Sequence, residues 1–274
     1  MRFVLPIAVA AACLGCGGNG SQPSAGNPPA AAAPVAPNGS GAAQTSPGGT
    51  LTGTIVFDGA EIPAQTMVPI ATDPEICQKH GMDGLYPMED YVIDRQTRGI
   101  RYVIVYLKSD AIRKWAGTPR QDATIDNRNC RFEPHVALAT VGSQVEVKNS
   151  DDVYHTTHLY GPAGFQYNPG LRAKGQSERT ELTRPGTYIV KCDRHGWMSA
   201  FLRVDDHPFH AVTDEKGRFE IKGIPPGKHR VEVFHEKFGE RPIAQPAGGN
   251  TAPEVIEVNI EADKTSTLDL KLSH

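Results

Sequence analysis

Cys192, His195 and Met198 stand three residues apart in Lys191-Cys192-Asp193-Arg194-His195-Gly196-Trp197-Met198, so one short loop offers a thiolate, an imidazole and a thioether. Upstream, Asn149-Ser150-Asp151-Asp152-Val153-Tyr154-His155-Thr156-Thr157-His158 adds two imidazoles. Thiolate suits Cu(I), imidazole suits both oxidation states of copper, and a trigonal plane of two His and one Cys with a distant Met is acceptable to both. Little then rearranges when one electron moves. With 5 Cys, 10 His and 5 Met in 274 residues, a C-x2-H-x2-M match arises by chance on the order of 3 times in 1000. The bland alternative is a structural Cys beside a surface His and a core Met. A zinc site from Cys192, His195 and His155 is less apt, because Met is a poor zinc ligand. No set of nucleophile, base and orienting group occurs, so bond-making chemistry is not expected and the chain is not read as an enzyme.

Strands must hold these loops. Short runs rich in Val, Ile, Tyr and Thr alternate with Gly, Pro, Asn and Asp clusters from Leu51 onward, which predicts an all-β sandwich or barrel. The clearest strands in the first part are 51–57, 101–107, 136–141, 144–149, 187–192 and 201–204. Period-two alternation puts Val145, Val147 and Asn149 on one face, and Tyr188, Val190 and Cys192 on another, with Glu146, Lys148 and Lys191 pointing away. Cys192 is therefore expected on the core side. Residues 109–116 suit one helical turn carrying Trp115. A second unit is expected from Asp205, where residues 211–221 make a strand, an Asp/Gly turn and a strand. The turn Pro225-Pro226-Gly227 leads into 228–235, and strands close the chain near 254–260 and 265–272, after an Ala/Gly/Pro loop at 244–253.

The ligand loop and the strands around it resemble the cupredoxins, in particular the amicyanin and plastocyanin type, with their C-x-x-H-P-x-M loop and an earlier N-x(5)-H segment. The resemblance implies a Greek-key β-sandwich over 51–204 and one type 1 copper ion held by His155, Cys192, His195 and Met198. His158 is an alternative first ligand, although a spacing of three puts it on the opposite face of a straight strand from His155. The family's Asn after the first His, which ties the two ligand loops together, is Thr156 here, and its Pro after the second His is Gly196. Trp197 suits a cap, a docking patch or core packing. Residues 205–274 resemble the transthyretin-like regulatory module of carboxypeptidases, a smaller β-sandwich, through Thr213-Asp214, Gly217, Phe219, Ile221 and Ile224-Pro225-Pro226-Gly227. The whole chain resembles exported bacterial proteins that join these two domains. They share a C-x-F-x-P-H-V strand, here Cys130 to Val136, and a D-H-P-[YF]-x-A-V-T-D stretch, here Asp206 to Asp214. The implied role is single-electron transfer between redox protein partners. The alternatives are copper storage or delivery with the same ligands, and a structural or carbohydrate-binding surface module with a vestigial metal site.

The remaining cysteines bear on address and stability. Arg2 followed by an uncharged apolar run from Phe3 to Leu14 fits an export signal and is too short to span a bilayer. Leu14-Gly15-Cys16 resembles the lipobox of bacterial lipoproteins, although Cys13 stands where that pattern has Leu; it implies lipidation of Cys16 with 1–16 as the signal segment and Cys13 discarded, and Ala10-Ala11-Ala12-Cys13 is a second candidate. An ordinary secretory signal is the alternative. Residues 17–50 hold 26 Gly, Pro, Ala or Ser, too little apolar surface to fold, and read as a tether between a lipid anchor in a membrane and a folded body outside the cytoplasm. In that oxidising setting Cys77 and Cys130 are expected to pair as a disulfide. The rival is a small metal site from Cys77, His80, Cys130 and His135. His207, His210, His229, His235 and His274 lack ligand spacing and are assigned by default to surface or turn positions. A formal net charge of −3, from 28 basic and 31 acidic residues, leaves no basic footprint and excludes nucleic acid as a partner.

Overall fold

The computed structural model describes residues 47–113, 119–241 and 256–273. Within them the chain is all-β, apart from single helical turns at Pro74–Cys77 and Asp110–Arg113 and brief 3-10 turns. The expected signal with Cys13 and Cys16, the tether as far as residue 46, Trp115, the 244–253 loop and His274 lie outside the described residues.

The first sandwich faces two sheets across one core. In one sheet, Gly186–Lys191 and Ser199–Asp205 form an antiparallel hairpin, Val136–Thr140 runs parallel to the second of these, and His158–Tyr160 and Gln166–Tyr167 extend the other edge. The other sheet orders Ser177–Glu181, Gln144–Asn149, Ala123–Arg128 and Arg131–Glu133. Alternation acts as expected: Val145 and Val147 from one sheet meet Tyr188, Val190, Ala200, Leu202 and Val204 from the other. Cys192 continues the inward phase of Tyr188 and Val190 and is buried with them. A ribbon of Met67–Pro69 with Leu85–Pro87 adds Tyr86 to this core, and the turn Pro74–Cys77 adds Cys77.

The expected division at Asp205 is not how the strands pair. Gly49–Phe57, predicted to belong with residues 51–204, is antiparallel to Arg218–Ile224 and parallel to Thr265–Thr267 and Leu270–Leu272. Ile104–Lys108 lies between His210–Val212 and Gly227–His235. The second sandwich therefore takes two strands from the N-terminal half, because Leu51, Ile55, Phe57, Val105 and Leu107 find their buried partners in Phe219, Ile221, Val231 and Leu270. Each such apolar side chain fully removed from water contributes about 1.5–3 kcal/mol. The strand opens at Gly49, inside the stretch expected to be tether. The predicted strand-turn-strand at 211–221 does turn at Asp214, where the Gly217 amide donates to the Asp214 carbonyl. Its two strands then part into opposite sheets of the second sandwich.

The two sandwiches pack sheet against sheet. Ile104 and Tyr106 meet Val136 and Phe201 in a separate apolar cluster, so Ile104–Lys108 and Ser199–Asp205 are covered on both faces. Polar groups in this seam are paired. Arg203 stacks over Tyr106 at 3.5 Å and donates to the Asp205 carboxylate, which also accepts from His210 Nδ1 at 2.8 Å.

Stacking the sheets also corrects the default placement of four histidines. His207, His210, His229 and His235 are all buried. Burial disfavours the charged ring and lowers the pKa of His235 to about 4, and burial moves His207 and His229 in the same direction. Between the ordinary histidine value and pH 4 the unfolded chain binds more protons than the folded one, so stability falls as the pH drops through that window. His235 alone is expected to remove about 3 kcal/mol by the time the pH is below 4. Urea midpoints measured at pH 7 and pH 4.5 should differ less in His235→Leu than in the parent protein; an unchanged difference refutes the assignment.

Candidate metal centre

Cys192 leaves the Gly186–Lys191 strand and Met198 precedes Ser199–Asp205, so residues 192–198 form the hairpin loop between paired strands. The loop is closed from within: Met198 N–H donates to the His195 carbonyl at 2.9 Å and Cys192 N–H to the Met198 carbonyl at 3.4 Å. His195 N–H in turn donates to Cys192 Sγ at 3.4 Å, with Sγ 3.6 Å from His195 Nδ1. Gly196 keeps an ordinary φ with open space where a Cβ would stand, so the loop shape does not demand glycine there. Met198 is buried on this loop.

His155 comes from the facing loop. Asn149 shapes that loop, accepting from Asp151 N–H and donating to the Val153 and Leu171 carbonyls. It brings His155 to 4.7 Å from His195, centroid to centroid. His155, Cys192 and His195 offer ligand atoms that all lie within 4.8 Å of one another, and all three residues are buried. His158 is not among them. Its Nδ1 lies 3.3 Å from Asp193 Oδ1 and its ring stacks on Tyr160, as the opposite-face argument expects.

Two carboxylates set the tautomers of the buried imidazoles. Asp151 Oδ2 accepts from His155 Nε2 at 3.0 Å, and Asp73 Oδ2 accepts from His195 Nε2 at 2.9 Å. Each neutral ring then keeps its lone pair on Nδ1. For His195 that atom faces the Cys192 sulfur; for His155 it is buried without any hydrogen-bond partner. A buried, unpaired acceptor beside a thiol is costly unless something electrophilic fills the gap.

Electrostatics point the same way. Burial alone would raise the Cys192 thiol, yet the His155 and His195 imidazoles and the His195 and Thr156 amides gathered around the sulfur bring its pKa down to about 5. The thiolate is the resting form at neutral pH, and the thiolate is the metal ligand. Burial opposes the charged form of His155, but Asp151 and Cys192 outweigh it and raise its pKa. Asp151, also held by the amides of Asn129 and Cys130, is correspondingly lowered against its burial. A cation bound between these groups satisfies every one of them, so the residues fit a thiophilic metal ion, with Asp73 and Asp151 as the outer partners that orient ligating imidazoles.

Thr156 takes the place that the resemblance assigned to an asparagine, and it does tie the loops: its hydroxyl oxygen accepts from Asp193 N–H at 2.7 Å and lies 3.7 Å from Cys192 Sγ. Thr156→Val leaves that amide unpaired and is expected to cost about 1–3 kcal/mol, read as a lowered denaturant midpoint; Thr156→Ser should restore most of it. Trp197 faces inward, donating from Nε1 to the Cys130 carbonyl, stacking on Tyr86 and lying 5.1 Å from the His195 ring. It is packing, not an exposed docking patch.

Cys77 and Cys130 are joined by a disulfide with Cα atoms 5.5 Å apart. The rival metal site from Cys77, His80, Cys130 and His135 is thereby removed. His80 is exposed, and His135 bonds to the Ser199 carbonyl and Glu236. The disulfide also disqualifies the grouping of Cys130 with Asp151 and His155, since Cys130 has no thiolate to give. Asp73, Asp151 and Arg194 were missed by sequence reasoning. Asp151, four residues before His155, carried a spacing signal; Asp73, 122 residues from His195, carried none.

No protein-family model matches the chain, and no curated protein does. Among solved structures, a copper-containing nitrite reductase from Thermus scotoductus is similar at 28% identity over 31% of this chain and 22% of that chain, with a TM-score of 0.28. A purple cupredoxin from Nitrosopumilus maritimus is similar at 24% identity over 30% of this chain and 99% of that one, TM-score 0.26. An oxidized amicyanin variant follows at 22%, covering 30% and 81%, TM-score 0.28. The matched stretch is thus less than a quarter of the nitrite reductase's length.

Proposed function

We propose that the chain is a mononuclear type 1 copper protein that passes single electrons between redox protein partners and performs no bond chemistry itself. The observation that carries this reading is the buried trio of His155, Cys192 and His195, with a thiolate at neutral pH and an orphaned imidazole nitrogen beside it. Bound there, copper would supply a one-electron couple. The chain's part is to hold two Nδ1 atoms and one sulfur in fixed places, keep water out, and carry Met198 on the same closed loop, where it would be a further candidate ligand. Rigidity of this kind keeps the rearrangement on electron transfer small.

The address is part of the proposal. The Cys77–Cys130 disulfide supports an oxidising compartment, and the segment through Cys16 supports export with lipidation and a membrane tether. The second sandwich is proposed to be the transthyretin-like module, extended by the strands at Gly49–Phe57 and Ile104–Lys108. Copper loading of the purified chain with metal analysis and a visible spectrum tests the reading. One copper per chain, an intense blue thiolate-to-copper band and reversible cycling are expected. A colourless copper-loaded protein with Cys192 intact overturns electron transfer, rapid loss of copper to a chelator favours delivery, and glycan-array binding that survives Cys192→Ser favours a surface module.

A further inference from the structure

The outer edge of His195 is not open to solvent. The ring is fully buried, and what covers its Nε2 side is Asp73, a residue outside both sandwich sheets that precedes the turn Pro74–Cys77. One Asp73 oxygen accepts from His195 Nε2 at 2.9 Å, while both oxygens accept from Arg194 Nε and Nη2 at 2.7 Å. Arg194 is the chain neighbour of His195, so the loop supplies the ring and the clamp that fixes its carboxylate. Asp73 sits at φ 48 and anchors the turn through its carbonyl, which accepts from Cys77 N–H at 2.9 Å. Four residues on, Cys77 is tied by the disulfide to Cys130. The carboxylate therefore stands on a braced support.

We propose that Asp73, held by Arg194, is a positioning residue for the copper ligand His195: it accepts the hydrogen bond from Nε2–H, so keeps the proton there and the Nδ1 lone pair free on the Cys192 side, and through its negative charge makes the imidazole a stronger donor. The inference rests on the copper reading above. A stronger, fixed imidazole donor favours the doubly charged ion over the singly charged one, so Asp73 lowers the reduction potential of the site, and outer partners of this type strengthen metal binding by roughly 10- to 100-fold. It also means that an electron leaving by the His195 edge must cross an ion pair and not a bare ring.

Two variants separate charge from geometry. Asp73→Asn keeps an acceptor for Nε2 and tolerates the positive φ; Asp73→Gly suits that φ and removes the acceptor. Glu75→Gln, on the same turn, removes an equal charge that makes no bond to the ring and is the control. In the copper-loaded protein D73N is expected to keep the blue band and raise the reduction potential by clearly more than E75Q. D73G is expected to raise it further and weaken copper binding by roughly 10- to 100-fold. Equal shifts in D73N and E75Q, or none in D73G, overturn the proposal. A second readout needs no copper: nitrogen-labelled histidine NMR of the metal-free chain should show slowly exchanging ring N–H protons from His155 and His195, alongside those of the other buried histidines such as His210. D73G should lose the His195 signal alone. If the His195 proton exchanges freely in the parent protein, the positioning role fails even where the blue copper reading stands; if the parent protein is never blue, the copper reading fails while the N–H result still decides the contact.

Discussion

Cys192→Ser is expected to abolish the intense visible absorption of the copper-loaded protein completely and to weaken copper binding more than any other single change, while the fold survives. Serine is close to cysteine in size, and its hydroxyl can accept from the two groups that approach Sγ, the His195 amide and the Thr156 hydroxyl. What it cannot supply is charge: the Cys192 thiol, at a pKa of about 5, is a thiolate at neutral pH, whereas an alcohol is not. The buried cluster then keeps two imidazoles and no anion of its own, with Asp73 and Asp151 already committed to the outer nitrogens. His158→Ala serves as the counter-test. Its ring is engaged with Asp193 and Tyr160 outside the cluster, so band position and intensity should not move. A C192S protein that stays blue, or a colour that depends on His158, would assign the sulfur or the imidazole wrongly. Absorption spectra with copper titration decide both, and a thermal melt of each metal-free variant shows whether the fold was kept.

What the sequence made legible was local, and what it hid was long-range. Alternation placed Val145, Val147, Tyr188, Val190 and Cys192 on inward faces because the face of a strand residue depends only on its neighbours in the same strand. Which sheet a strand joins depends on partners far away: Ile55 sits beside Leu270, and Val105 beside Ala211 and Val233. Nothing within 51–57 announces that. One signal was there to be read, since Val103-Ile104-Val105-Tyr106-Leu107 is an unbroken apolar run, and a strand covered on both faces needs such a run. The same double covering buries His210, opposite Tyr106 in the seam, while His229 follows the inward phase of Val231 and Val233, and neither spacing held a ligand pattern. At the site, C-x2-H names two groups because both lie on one loop. The partner of His195 at Asp73 arrives from a separate turn, and no spacing rule reaches that far.

The disulfide lies behind both outer carboxylates, and removing it should therefore do more than loosen the chain. Cys77→Ala with Cys130→Ala opens a loop with a sequence separation of 53, for which chain entropy gives a loss of about 4 kcal/mol. For a folded body of this size that corresponds to a fall in Tm on the order of 10 °C. Losing the bond also frees two pieces of backbone that the metal cluster relies on. Asn129 and Cys130 both sit at positive φ, a conformation non-glycine residues hold only when their surroundings impose it. From there their amides fix Asp151, and the Cys130 carbonyl accepts from Trp197, which packs against His195. On the other side, Cys77 N–H fixes Asp73. The double alanine variant should consequently release copper to a chelator faster than the parent at a temperature where both are fully folded, and more so than D73G, which disturbs only the His195 side. A variant that melts early but retains copper at the parental rate would reduce the disulfide to a staple, because then neither carboxylate depends on it. Combining the disulfide change with Asp73→Gly decides between these: shared action through Asp73 predicts a combined effect on release smaller than the product of the two, and independent action predicts the full product.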